Sequence, residues 1–145
     1  MLVDSKKKEL GIEPILVLAA AETKEDVPVL NAWAAAVAEM NMKNTTLFRE
    51  GNTLFIVHHV EPRVGYFRAW NADVARNYLE NAYLFFQAAH KYGYDVLYTN
   101  FSDPTLLNIF KAIFRNPPLP DMDYEVTKEG DEIFVTLKLG KPREV

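Results

Sequence analysis

Val64-Gly-Tyr-Phe-Arg-Ala-Trp70 runs straight into Asn71-Ala72-Asp73, and from Val74 onward the chain changes period. The first segment is rich in aromatic and β-branched residues and reads as a strand. Beyond it, Val74, Tyr78, Ala82, Phe85, Phe86 and Ala89 recur at helical spacing, while Arg76, Glu80, Gln87 and Lys91 fall elsewhere, which predicts a long amphipathic helix. Tyr92-Gly93-Tyr94 ends it, because glycine suits a left-handed cap. A strand that passes directly into a helix N-terminus is a place where free backbone amides and the helix dipole can meet a phosphate. In this reading Asp73 occupies the N-cap, where its carboxylate takes the amide hydrogens an anion would need.

Upstream, Thr45-Thr-Leu-Phe-Arg49 and Thr53-Leu-Phe-Ile-Val-His-His59 have the same extended character. The turn-formers Glu50-Gly-Asn52 and Glu61-Pro-Arg63 separate the segments, and links this short require antiparallel neighbours. Residues 45–70 therefore read as a three-stranded meander. Further upstream, Ile15-Leu-Val-Leu-Ala-Ala20 reads as a buried strand and Asp26 to about Ala38 as a helix that buries Val29, Leu30, Trp33 and Val37. Residues 1–12, with Lys6-Lys7-Lys8, are expected to form a flexible arm ahead of a single domain over 13–145. Downstream come a strand at Asp95-Val-Leu-Tyr-Thr99, a helix capped by Asp103 with Pro104 in its first turn, and a C-terminal hairpin. The hairpin folds Tyr124–Thr127 onto Glu132–Leu139 about Lys128-Glu-Gly-Asp131. The Asn116-Pro-Pro-Leu-Pro120 segment reads as a rigid connector into it.

Composition sets the outer bounds. With 145 residues, 49% hydrophobic and 25% charged, the chain is one globular domain that buries about two-thirds of its unfolded surface. Its longest apolar run, residues 15–21, is far below the roughly 20 residues of a membrane span. No secretion signal is read at the N-terminus, and a cytoplasmic setting fits. With no cysteine and three histidines, thiolate chemistry is excluded and no metal-ligand spacing is present. A formal charge of −4 argues against a nucleic-acid partner.

In its order of strand, helix, meander, long helix, strand, helix and hairpin, the chain resembles the GNAT superfamily of N-acetyltransferases over residues 13–139. The resemblance implies an α/β (mixed α+β) fold. Its centre would be a mostly antiparallel, twisted sheet of about six or seven strands, flanked by about three or four helices. It also implies a sheet splayed between the fourth and fifth strands, with acetyl-CoA in the gap and an amine acceptor entering from the other side. The family's phosphate-binding pattern, Gln or Arg, two residues, Gly, one residue, Gly or Ala, falls on Arg68-Ala-Trp-Asn71-Ala-Asp73. It keeps Arg68 and replaces the two glycines by Asn71 and Asp73. The family's tyrosine acid, on the helix after the fifth strand, falls on Phe110, which has no ionisable proton.

The remaining candidates for catalysis are Tyr98 on the fifth strand and a His59, Glu61 pair that alternation would put on one face. Arg68, Asn71 and Asp73 are the cofactor-binding candidates. Because the anion cradle and the acid are both altered, the sequence points first to a noncatalytic GNAT-like protein serving assembly or protein interaction, as a homo-oligomer or with a protein partner. No bound cofactor is expected in that case. The chain is similar in this respect to GNAT-like proteins of short-tailed bacteriophages, which implies virion assembly and a place in the virion or host cytoplasm. The alternative is an acyl-CoA-dependent N-acetyltransferase acting on an amine, with acetyl-CoA in the cleft. An aromatic content of 12% exceeds what two helix faces require, and part of it is expected at the surface or against a partner.

Overall fold

The computed structural model describes residues 2–3, 43–71 and 73–140. The strand expected at residues 15–20 and the helix from Asp26 lie outside the described residues, as does most of the arm. Strands β1 (Leu2–Val3), β2 (Thr45–Glu50), β3 (Thr53–Glu61), β4 (Val64–Asn71), β5 (Val96–Phe101), β6 (Asp123–Glu129) and β7 (Glu132–Lys138) form one sheet in the order β1-β2-β3-β4-β5-β7-β6. Helix α1 (Ala75–Tyr92) links β4 to β5, and α2 (Pro104–Arg115) follows β5. Leu2 and Val3, which the sequence assigns to a loose arm, pair antiparallel with Phe48 and Leu47.

Every pairing among the described strands is antiparallel except one. β4 and β5 run parallel because α1 carries the chain back along the sheet between them. Their ladder holds only at Val64–Tyr66 against Val96–Tyr98, although each strand continues beyond it. β4 stays paired to β3 as far as Asn71, and β5 stays paired to β7 as far as Phe101. Two well-knit half-sheets therefore meet at a short seam and separate past Tyr66 and Tyr98.

Local signals behave as the residues dictate. Asp103 caps α2 by accepting from the Thr105 N–H at 2.9 Å, with Pro104 in the first turn. Gly93, at φ 135°, ends α1, and its N–H bonds the carbonyls of Ala89 and His90. The hairpin closes about Gly130-Asp131, two residues tighter than the sequence suggests, so β6 runs on to Glu129. Val74, expected on the buried face of α1, is exposed at the N-cap.

Helices α1 and α2 cover one face of the sheet. Phe85 is the centre of that layer: its ring stacks on Phe55 at 4.1 Å and 5° and meets Phe48, Phe67 and Phe86 at 5.2–5.4 Å. The aromatic surplus is thus mainly core, since Phe48, Phe55, Phe67, Phe85, Phe86, Tyr94 and Phe110 are all buried. Tyr92 at the end of α1, 54% exposed, Tyr124 and Phe134 are the exposed aromatics among the described residues. Truncating Phe85 to alanine removes a ring shared by β2, β3, β4 and α1. A loss of about 3–5 kcal/mol is expected, read from urea denaturation midpoints at unchanged slope.

Candidate functional site

Where β4 and β5 separate, a cavity of about 210 Å³ opens, lined by Phe67, Arg68, Ala69, Tyr78, Thr99, Asn100, Phe101, Leu106 and Phe110. Side chains alternate along a strand, so Phe67, Ala69, Thr99 and Phe101 belong to the helix side and Arg68 and Asn100 to the other. The cavity therefore passes through the sheet. The Thr99 hydroxyl donates to the Phe67 carbonyl at 2.8 Å and pins the point of separation. Phe110 of α2 lies flat on Phe101, centroids 5.5 Å apart at 2°, and walls the cavity with carbon.

On the far face the lip of the opening is polar. The Tyr66 hydroxyl donates to Asn100 Oδ1 at 2.5 Å, and Asn100 Nδ2 donates to Glu132 at 2.6 Å. Tyr98, a sequence candidate, lies here, half-buried with its ring 5.4 Å from Tyr66 at the last paired position of the seam. Tyr78 was overlooked by motif reasoning, because its helical spacing marks it as core. It is indeed buried, and burial pushes its phenol up to about 12, yet it also lines the cavity from the first turns of α1. That phenol is held protonated at neutral pH.

The junction at Asn71 and Asp73 differs from its sequence reading in one decisive respect. The Asp73 carboxylate does not cap α1. Val74 is the N-cap, extended at φ −68° and ψ 159°, and its side chain makes no capping hydrogen bond. Asp73 turns instead toward the β2–β3 turn, accepting from the Asn52 N–H at 2.9 Å, Asn52 Nδ2 at 3.3 Å and Asn81 Nδ2 at 2.7 Å. Burial works to raise its pKa, but these hydrogen bonds outweigh it and hold the carboxyl below its usual range. Asn71 is equally committed: its Oδ1 accepts from the Thr53 hydroxyl at 2.7 Å and the Asp73 N–H at 3.0 Å, and its Nδ2 donates to the Asp73 carbonyl at 2.9 Å.

Thr53 and Asn81, both buried, complete the network through a 2.9 Å bond. Gly51 is obligatory beside it. Its φ is 55°, and a Cβ there would come within 2.7 Å of Asn81 Oδ1 and 3.0 Å of Asp73 Oδ2. Asn71 and Asp73 are thus positioning residues of the strand-to-helix step, and among the described residues neither they nor Val74 cap the helix amides. The first turn of α1 holds no acidic residue, and Arg76, exposed, lies within it. A cation at the positive end of the dipole is unfavourable for the helix alone and favourable for an anion placed there.

His59 and Glu61 lie elsewhere. The β3–β4 register shifts between them, so His59 faces Gly65 while Glu61 faces Val64, and the alternation that would join them is broken. His59 lines a larger cavity of about 650 Å³ with Asn44, Thr45, Thr46, Pro62, Arg63, Tyr92, Gly93 and Tyr94. This cavity sits at the opposite end of the sheet, by the C-terminus of α1. Its size alone would favour it, but the smaller one traverses the sheet beside an uncapped helix N-terminus. Among the described residues no group of three or more histidines and carboxylates could hold a metal, and no helix is long and apolar enough to cross a membrane.

Two predictions test this geometry. Asp73→Ala removes a hydrogen-bonded charge and should lower stability by about 1–3 kcal/mol near neutral pH. A depressed folded-state pKa contributes stability above the unfolded value of about 3.9 that is lost as pH falls through the folded value. The gap between wild type and variant should therefore shrink in acid denaturation series below about pH 4. For Tyr78 the sign is opposite. Its raised pKa contributes stability that is complete below the unfolded value of about 10 and is lost as pH rises toward the folded value of about 12. Tyr78→Phe should abolish that part of the alkaline destabilisation.

No protein-family model matches the chain. No curated protein matches it in sequence. Solved structures do. Aminoglycoside 6'-acetyltransferase type Ii superposes with a TM-score of 0.64 at 8% identity, covering 99% of this chain and 98% of its own. The Campylobacter jejuni N-acetyltransferase PseH, solved in complex with acetyl coenzyme A, superposes with a TM-score of 0.56 at 13% identity, covering 95% and 97%. At these identities the likeness is one of fold, and the chain has the GNAT-like fold, a mixed α+β architecture with a mostly antiparallel sheet.

Proposed function

We propose that the chain binds an acyl-CoA at the gap between β4 and β5 and transfers the acyl group to an amine. The observation that carries this reading is the cavity at the parting of β4 and β5, beside a helix N-terminus that Asp73 does not cap because its carboxylate is engaged at the β2–β3 turn. Its 210 Å³ is below the roughly 300–1,000 Å³ of a whole-ligand pocket, so the slender thioester end fits inside and the nucleotide stays outside. Both superposing neighbours are acetyltransferases, and one is described with acetyl coenzyme A. An acyl-CoA supplies, when bound, an activated thioester whose acyl group can pass to nitrogen.

The chain's own groups then have distinct tasks. The first amides of α1 and the Arg76 guanidinium receive phosphate charge, and Arg68 lines the path from there. Beyond Tyr66 β4 no longer forms a ladder with β5, so an extended ligand enters alongside it, past the Thr99–Phe67 contact. Phe67, Phe101, Leu106 and Phe110 exclude water. Tyr78, protonated at neutral pH, replaces the missing helix tyrosine as the phenol that supplies a proton to the departing sulfur. Tyr66, Tyr98 and Asn100 border the entrance used by the amine.

One observation favours a second reading. Phe110 stands where the fold's tyrosine acid is expected, which suits a noncatalytic scaffold for assembly or interaction, phage-like in kind, in the virion or host cytoplasm. Titration calorimetry with acetyl-CoA separates the two. Saturable binding in the micromolar range, about −8 kcal/mol, is expected, weakened about tenfold by Arg76→Glu. Acyl transfer to a panel of primary amines should fall at least about tenfold in kcat with Tyr78→Phe, at little change in acetyl-CoA affinity. Neither heat nor transfer at about 1 mM acetyl-CoA would sink the acyltransferase reading and leave the scaffold.

A further inference from the structure

Among the described strands β6 is an edge of the sheet, paired only to β7, and all seven of its residues are exposed. The two-residue loop Gly130-Asp131 makes Glu129 and Glu132 the closing pair of the hairpin, and in such a hairpin that pair is hydrogen-bonded. Alternation then turns the main-chain groups of Thr127, Glu125 and Asp123 inward to β7. Those of Tyr124, Val126 and Lys128 point off the sheet. Natural edges are usually blunted by a proline, a bulge or a row of lysines. Within β6 there is no proline, the register with β7 is unbroken and Lys128 is the single basic residue.

The two rows of side chains differ sharply. Tyr124 stacks on Phe114 of α2 at 3.5 Å and 6°, which places Tyr124, Val126 and Lys128 on the helix side. Tyr124 and Val126 remain 45% and 37% exposed, leaving apolar surface next to the open edge. The opposite row is Asp123, Glu125, Thr127 and Glu129. A second copy of β6 fits poorly. Centring the antiparallel pair on Val126 sets Asp123 against Glu129 of the copy. Moving it one step of two residues sets Glu125 against Glu125 or against Glu129. Each of these registers opposes carboxylates on the row away from the helices, and like charges directly opposite destabilise a strand pair.

We infer that β6 is a docking edge for an extended segment of another protein, one that carries lysine or arginine at alternate positions with small apolar residues between them. The segment adds antiparallel or parallel to β6 through the outward groups of Tyr124, Val126 and Lys128, sets its basic side chains over Asp123, Glu125 and Glu129, and lays its apolar side chains beside Tyr124 and Val126. The inference does not depend on acyl transfer.

The test uses the full chain and a fluorescein-labelled heptapeptide alternating lysine and valine, followed by anisotropy at low and high salt. Expected are saturable binding, slowed amide exchange at Tyr124, Val126 and Lys128, and a loss of at least about tenfold with Val126→Pro, which removes one outward N–H. The surface variant Glu125→Lys, which leaves the backbone unaltered, should lose a similar factor. A control peptide of equal charge with its central valine replaced by proline should not bind. Equal binding of both peptides, meaning mere charge attraction, would overturn the inference. So would no binding at about 1 mM, meaning that the acidic row only guards the edge, or concentration-dependent self-association that protects the same amides without peptide.

Discussion

The architecture depends on how little β4 and β5 have in common. Three residues of each, Val64–Tyr66 and Val96–Tyr98, hold the only parallel ladder among the described strands. Each strand is committed to a longer antiparallel partner on its other side, β4 to β3 over its whole length and β5 to β7 over its whole length. Since sheets twist, two half-sheets joined by a short seam diverge beyond it, and the connecting helix α1 is drawn across the inner face. The gap is a consequence of competing hydrogen-bond ladders. Thr99 bonding the Phe67 carbonyl shows the seam ending on a polar contact, and a cavity begins where it ends.

A second constraint acts at the end of β4. Thr53, Asn71, Asp73, Asn81 and Asn52 form one hydrogen-bonded cluster that ties the β2–β3 turn to the strand-to-helix step. The cluster is partly buried, and its members satisfy one another, which is the condition for polar groups to be tolerated there. It also fixes the roles of Asn71 and Asp73 at this step. Asn71 forms a turn through its own side chain, and Asp73 anchors the neighbouring turn. The backbone there is shaped by side-chain bonding.

Much of the fold was legible in the residues. The meander, α1, β5, the Asp103-Pro104 start of α2 and the C-terminal hairpin follow from periodicity, caps and short turns, all of which act within a few residues. The site was less legible. Tyr78 reads as core because spacing reports burial and cannot report that a buried phenol also borders a gap. His59 and Glu61 read as a pair because alternation assumes a regular strand, and a shift in the β3–β4 register between them is invisible without the partner strand. Arg68, a cofactor-binding candidate from the sequence, lines the cavity.

Asp73 marks the division. The sequence by itself determined that a strand gives way to a helix at this point and that an aspartate stands at the step, because strand and helix periods and turn chemistry are local properties. Only the tertiary structure decided where the carboxylate points. Asn52, 21 residues earlier, and Asn81, 8 residues later, offer it three hydrogen bonds against the one or two of a helix cap. A side chain follows the larger number of donors, and those donors exist in one place only once β2, β3 and α1 have packed together.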